Sequence, residues 1–183
     1  MPVKRFAIYA VLAAFIAAMT VVIVRQSVIE RVPHWVITQI QDRMSSAGER
    51  WNTCSHTRTY GPVYGGVSRA NPDSMVSVMA YDLSNGPVRI SGETWPNYWS
   101  LSLYQDNTDN YFVINDRELE TSAFDFILSR DATADPSQNA QHIVSPTMTG
   151  VMVVRRFVPS PDDLPAVLAN QDKMYCGPAE TVS

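Results

Sequence analysis

The chain has 183 residues, 45% of them hydrophobic, and a formal net charge of −4 at pH 7. That is one domain's worth of chain, enough for a real core once any membrane segment is set aside. The acidic balance and the scattered arginines argue against nucleic acid as a partner, which would need a clustered basic surface.

Residues 6–24, FAIYAVLAAFIAAMTVVIV, carry no charge. About 19 helical residues at a rise of roughly 1.5 Å each reach roughly 28 Å, close to the thickness of a bilayer core. A cleaved signal peptide is the rival reading, but its apolar part runs to about 7–15 residues and ends at a small-x-small site. Here the run continues through Thr20 to Val24 into Arg25. An uncleaved anchor is favoured, and a buried core helix is disfavoured because no polar face interrupts the run. Lys4 and Arg5 flank one end, and Arg25, Arg31 and Arg43 the other, so the positive-inside rule gives little bias. A single span without an intramembrane charge also argues against a transporter.

The two cysteines, Cys54 and Cys176, lie near the two ends of the remaining chain. A bridge would close a loop of more than about 100 residues, worth roughly 4–5 kcal/mol by the chain-entropy argument, and would require an oxidising compartment. Two separate buried thiols are the other reading. Their spacing fits no zinc motif. The organisation expected is a cytoplasmic stub and transmembrane anchor over 1–26, a helical neck over 27–50 and a β-rich periplasmic domain over 51–183. The expected orientation in an inner membrane has the amino end inside and the carboxyl end outside.

Pro33 suits a helix start, and Trp35, Ile37, Ile40 and Met44 recur at helical spacing before Gly48, which can end the neck. That stripe is expected to pack on the domain; for Trp35, near the membrane exit, the other reading is a place at the lipid interface, as amphipathic rings often take. From Trp51 the pattern turns to β. Strands are expected over 75–83, 88–91, 98–104, 111–114, 124–128, 143–144 and 151–158, separated by turn tetrads such as Asn71-Pro-Asp-Ser74 and Ser84-Asn-Gly-Pro87. In 98–104, Trp99, Leu101 and Leu103 alternate with Tyr98, Ser100, Ser102 and Tyr104, which predicts one core face and one wet or ligand-facing face. An exposed polar loop is expected between Ser129 and Gln141, and a closing helix over 162–174, capped by Asp162 or Ser160. The fold class is therefore β-rich α+β, an antiparallel sheet or sandwich with flanking helices behind one transmembrane helix.

Arg69-Ala-Asn-Pro-Asp73, Tyr81-Asp-Leu-Ser-Asn-Gly-Pro87, Tyr98-Trp-Ser-Leu101, Asp106-Asn-Thr-Asp-Asn110 and Asn115-Asp-Arg117 follow one another in this order. Val144-Ser-Pro146, Arg155, Asp163-Leu-Pro-Ala-Val167 and Gln171 come later. Over roughly 51–178 the chain resembles the domain-of-unknown-function 1254 family, in its short, membrane-anchored bacterial form. Ser74-Met75 departs from that pattern, which commonly has threonine or leucine followed by tyrosine. The resemblance implies a β-rich domain with flanking helices. In longer relatives this domain is joined to a second β-domain. A separately encoded companion is the partner the resemblance implies, while the sizeable anchor and the lack of a catalytic constellation suggest another protein of a membrane complex.

Arg69, Asn71, Asp73, Asp106, Asp109 and Arg117 are the candidate ligand-binding residues. With Asp82, Asp116 and Arg155 they would line one end of the sheet, where paired carboxylates could perform acid–base hydrolysis. The competing reading is that Asp and Asn at strand ends bond their own turns while the arginines pair with them. An EF-hand over 106–117 fails, because Tyr111 and Arg117 stand where Gly and Glu are needed. His56 and His142 are too far apart in sequence to suggest a ligand set, and a Cys54/His56 nucleophile requires a free thiol. No catalytic residue, metal or cofactor is assigned. The reading reached is a single-pass protein presenting a periplasmic binding or interaction domain, with an envelope hydrolase as the alternative.

Overall fold

The computed structural model describes residues 2–44, 50–59, 71–131 and 140–179. The chain begins with one helix, α1, Pro2–Met44. Nine strands follow among the described residues: β1 Ser55–His56, β2 Ser74–Asp82, β3 Val88–Glu93, β4 Trp99–Gln105, β5 Asn110–Asn115, β6 Ala123–Ser129, β7 Gln141–Val144, β8 Thr149–Phe157 and β9 Tyr175–Pro178. A 3-10 turn, Pro161–Asp163, leads into α2, Leu164–Asp172, between β8 and β9. Ser160 caps that turn: its hydroxyl accepts from the Asp162 amide while the Asp163 carboxylate reaches back to the Ser160 amide. Gly48 and most of the loop between Ser129 and Gln141 lie outside the described residues.

The strands form two sheets, β1-β2-β8-β4-β5 and β7-β6-β3-β9, antiparallel except for the parallel β6–β7 pair. Their facing sides make the core. Met75, Met79, Trp99, Leu101, Leu103, Met152 and Val154 from the first sheet meet Val88, Ile90, Phe124, Phe126 and Leu128 from the second. Trp99 stacks on Phe124 with ring centroids 5.6 Å apart. This is the expected β-rich sandwich with flanking helices.

Three local expectations are corrected. Pro33 lies inside α1 rather than starting a helix, so apolar segment and neck are one continuous rod. Proline gives up one backbone donor there, and the turns beyond it are held by docking: Ile37 and Gln41 are buried against β2 and β8, and Gln41 Nε2 donates to the Gly150 carbonyl at 3.3 Å. Trp35 is not packed on the domain but 64% exposed. It sits two positions before Ile37, about 200° around a helix. Finally, the supposedly wet serines of β4 are buried, Ser100 at 5% and Ser102 at 4% exposure. Each is a small side chain in register between taller neighbours, Ser100 between Arg155 and Asn115 and Ser102 between two valines, Val153 and Val113.

Gly150 marks the tightest approach in the first sheet, in register with Tyr81 on one side and Gln105 on the other. A Cβ there would stand 2.1 Å from the Tyr81 hydroxyl and 2.2 Å from the Tyr104 carbonyl oxygen. Because one of these is backbone, a Gly150→Ala variant is expected to lose roughly 1–3 kcal/mol or more. A fall in the urea midpoint with an unchanged slope checks this.

The bridge between Cys54 and Cys176 is present, with Cα atoms 5.4 Å apart. It joins the segment before β1, at one edge of the first sheet, to β9 at an edge of the second. α1 is the only described helix long and apolar enough to cross a membrane, as an anchor or a signal sequence does, and its most apolar stretch is uncovered by the domain.

Candidate functional site

The sequence-predicted residues divide between two ends of the first sheet. Asn71, Asp73 and Arg117 lie at the end where β2 begins and β5 finishes, whereas Asp82, Asp106 and Asp109 lie at the other. Seven residues of β4 separate the ends, about 20 Å at the rise of an extended strand. Arg155 is on the outer face of β8, and Arg69 lies outside the described residues.

Asn71, Asp82 and Asp109 serve their own turns, whereas Asp106 lies 3.7 Å from His34 of α1. Asn71 Oδ1 accepts from the Asp73 amide at 3.1 Å, and Asp82 Oδ1 accepts from the Ser84 amide and hydroxyl at 2.8 and 2.6 Å. In the β4–β5 turn, Asn107 Oδ1 accepts from the Asp109 amide at 3.0 Å while Asp109 Oδ2 accepts from Asn107 and Gln105. Thr108 takes the left-handed φ of 74° there. The Arg117 amide donates to Asn115 Oδ1. The turn-chemistry reading thus accounts for the calcium-like loop, and no group of three or more His, Cys, Asp or Glu residues among the described ones is placed to hold a metal.

A denser polar cluster lies where α2 covers the interior. Arg156 is on the inward face of β8, in register with Met75 and Trp99, and only 1% exposed. Its Nε donates to Asn170 Oδ1 and its Nη1 to Ser77 Oγ at 3.1 Å, while Nη2 has no partner among the described residues. No carboxylate among the described residues pairs with it. Burial lowers its pKa to about 10, which leaves it charged at neutral pH. Asn170 Nδ2 donates to the carbonyls of Glu93 and Thr94, and Gln171 Nε2 donates to the Val76 carbonyl and Ser77 Oγ. Gln171 Oε1 is buried without a partner among the described residues. This network ties β2, β8 and α2 together around a buried cation.

His56 Nδ1 lies 2.8 Å from Ser77 Oγ, the spacing of a base and a nucleophile. Yet Ser77 is fully buried and its oxygen already receives two donors, so it has neither access nor electron density for attack. At the other end of the interior, the Tyr81 hydroxyl meets the Tyr104 carbonyl, the Tyr111 hydroxyl at 3.0 Å and Ser145 Oγ at 3.1 Å. Burial raises the pKa of both tyrosines, so their hydroxyls stay neutral and act as hydrogen-bond spacers. On the outer face of the second sheet, Arg89, Ser91, Tyr175 and Pro178 line an open hollow of about 210 Å³. Its polar groups are engaged locally: Arg89 grips Asp125 with two bonds of 2.8 and 2.6 Å, and Tyr175 donates to the Pro178 carbonyl.

Arg155 and Gln171 are legible as part of the family pattern, whereas Arg156 and Asn170 escape sequence reasoning. The available signal was parity: Arg156 shares the inward face with Val154 and Met152.

The fold and these sites define a β-sandwich carried behind an N-terminal apolar helix. Residues 51–178 match the family described as "Protein of unknown function (DUF1254)", and the chain belongs to it. Among solved structures, it is similar to the VPA0106 protein from Vibrio parahaemolyticus. The TM-score is 0.65 at 10% identity, over 86% of this chain and 41% of that one. An uncharacterised protein from Burkholderia cenocepacia gives a TM-score of 0.47 at 13% identity, over 79% of this chain and 38% of that one. The chain thus spans about two-fifths of the length of these solved relatives, and the first likeness carries the fold. No curated protein matches.

Proposed function

We propose that the chain is a single-pass, uncleaved inner-membrane protein whose sandwich stands in the periplasm and works by binding a protein partner, as an accessory subunit or beside a separately encoded companion. The observation that carries this reading is the outward face of α1. While Ile37 and Gln41 pack on the sheet, Val28, Val32 and Trp35 are 52%, 45% and 64% exposed. Their i, i+4, i+7 spacing puts them on one face. Trp35 lies about 16 Å beyond Val24 along the helix axis, past the roughly 5–8 Å that headgroups extend on each side of the bilayer core. A packed protein surface is the cover this reading assigns to it. The bridge between Cys54 and Cys176 supports an oxidising compartment.

The rim carrying Asn71, Asp73 and Arg117, with Tyr98 52% exposed beside it, is a second place for such a partner. There, Asp73→Ala with Arg117→Ala is expected to change unfolding stability by less than about 0.5 kcal/mol, as surface substitutions do. Loss of partner binding at unchanged stability would assign the rim to recognition. The alternative, a hydrolase acting through carboxylate pairs, could not use Asp73 together with Asp106, which lie at opposite ends of β4.

Affinity purification from membranes in mild detergent tests the proposal. A stoichiometric protein partner that is lost in a Val32→Asp, Trp35→Ala variant is the expected result; recovery of a lone monomer would overturn it.

A further inference from the structure

The proton accounting at Ser77 constrains His56. A serine oxygen has two lone pairs and one proton. Arg156 Nη1 at 3.1 Å and Gln171 Nε2 at 3.3 Å both donate to Ser77 Oγ and fill the lone pairs. The remaining contact, 2.8 Å to His56 Nδ1, must then use the serine proton. His56 is therefore the acceptor, neutral, with its proton on Nε2. A protonated imidazole would present a third donor to an oxygen with no lone pair left, beside a buried guanidinium.

The charged groups around His56 are Arg156 from β8, Asp172 at the end of α2 and Arg58 on its own segment; β2 contributes the uncharged Ser77. Two cations and one anion face the ring, and Asp172 is already engaged by Arg58 at 2.6 Å. Burial and the two arginines lower the His56 pKa below 6.5.

β1 is only two residues long and lies at the edge of its sheet. Besides the ladder, it is held by the Thr57 amide donating to the Val76 carbonyl at 2.8 Å, by the Val76 amide donating to Thr57 Oγ1 at 2.9 Å, by the Arg58–Asp172 pair and by the bridge at Cys54. We propose that residues 55–58 form an acid-released strap: protonation of His56 breaks its bond to Ser77 and frees the segment from β2, while the Cys54–Cys176 bridge keeps it tethered. Opening uncovers the polar interior around Arg156 and Gln171, and closing is restored on neutralisation.

The sign is fixed by linkage. With the closed-state pKa depressed, the strap is fully latched above pH 6.5. Its opening constant then rises toward tenfold per pH unit as the pH falls below 6.5, until the closed form itself protonates. The full chain in detergent micelles, labelled at its three histidines, allows NMR titration of His56 alongside hydrogen exchange at the Thr57 amide. Expected are a His56 midpoint below 6.5 and Thr57 protection that falls along that slope after correction for intrinsic exchange. His56→Gln keeps an acceptor for Ser77 and should flatten the slope, while Asp172→Asn should leave it. A His56 midpoint at or above 6.5, or Thr57 protection independent of pH, would overturn the proposal. So would an unchanged slope in His56→Gln. Should that variant not fold, the wild-type titration and exchange alone decide.

Discussion

Replacing Cys54 and Cys176 together by serine is expected to lower unfolding stability by roughly 5 kcal/mol, the chain-entropy value for a bridge spanning 122 residues. The bridge does more than close a long loop. It joins the edge of one sheet to the edge of the other, so losing it also releases β9 and the segment before β1 from each other. Set against a typical net stability of about 5–15 kcal/mol, this is a third of the total or more. Equilibrium denaturation followed by the fluorescence of the four tryptophans, with and without reductant, measures it. Reduced wild-type chain and the double variant should unfold at the same denaturant concentration. A double variant as stable as the oxidised chain would show that the bridge is incidental.

Trp99→Ala is expected to cost about 3–5 kcal/mol, the range for emptying a large aromatic site in a packed core. Trp99 is 2% exposed, stacks on Phe124 and lies in register with Arg156. Its removal would leave a cavity between the sheets and admit water beside a buried cation. Trp99→Phe keeps most of the apolar contact and should lose only about 1–2 kcal/mol. A midpoint shift in the alanine variant no larger than in the phenylalanine one would mean that the core collapses around the gap.

β2, β4 and β8 were readable because they are rich in residues that suit a pleated surface and the turn tetrads between strands are rich in Asn, Asp, Gly and Pro. β9 was not readable. Its four residues, Tyr175–Pro178, contain glycine and proline, and they form a strand at a sheet edge, where proline is tolerated, beside a covalent tie to Cys54. β1 is too short to show any period. The continuity of α1 through Pro33 was hidden because local preference favours a helix start, while docking of Ile37 and Gln41 is a tertiary event.

The polar sites follow the same division. Asn71, Asp82 and Asn107 bond within two or three residues, so their turn role is written locally. The Arg156 cluster draws on β2, β8 and α2, with partners 79 residues away in one case. No short window holds that information. The rim around Asp73 and Arg117 is a polar surface at an end of the sheet, and the stripe of Val28, Val32 and Trp35 is an apolar one on the helix that carries it.

On the reading proposed above, the sandwich works while tethered by an uncleaved helix in an oxidising compartment. Intact-mass spectrometry of the chain purified from the membrane fraction, before and after reduction, tests it most directly. The account predicts the mass of the full 20.4 kDa chain, rising by about 2 Da on reduction as one bridge opens. A product lacking the apolar segment, or a full-length chain whose mass does not change on reduction, would contradict it.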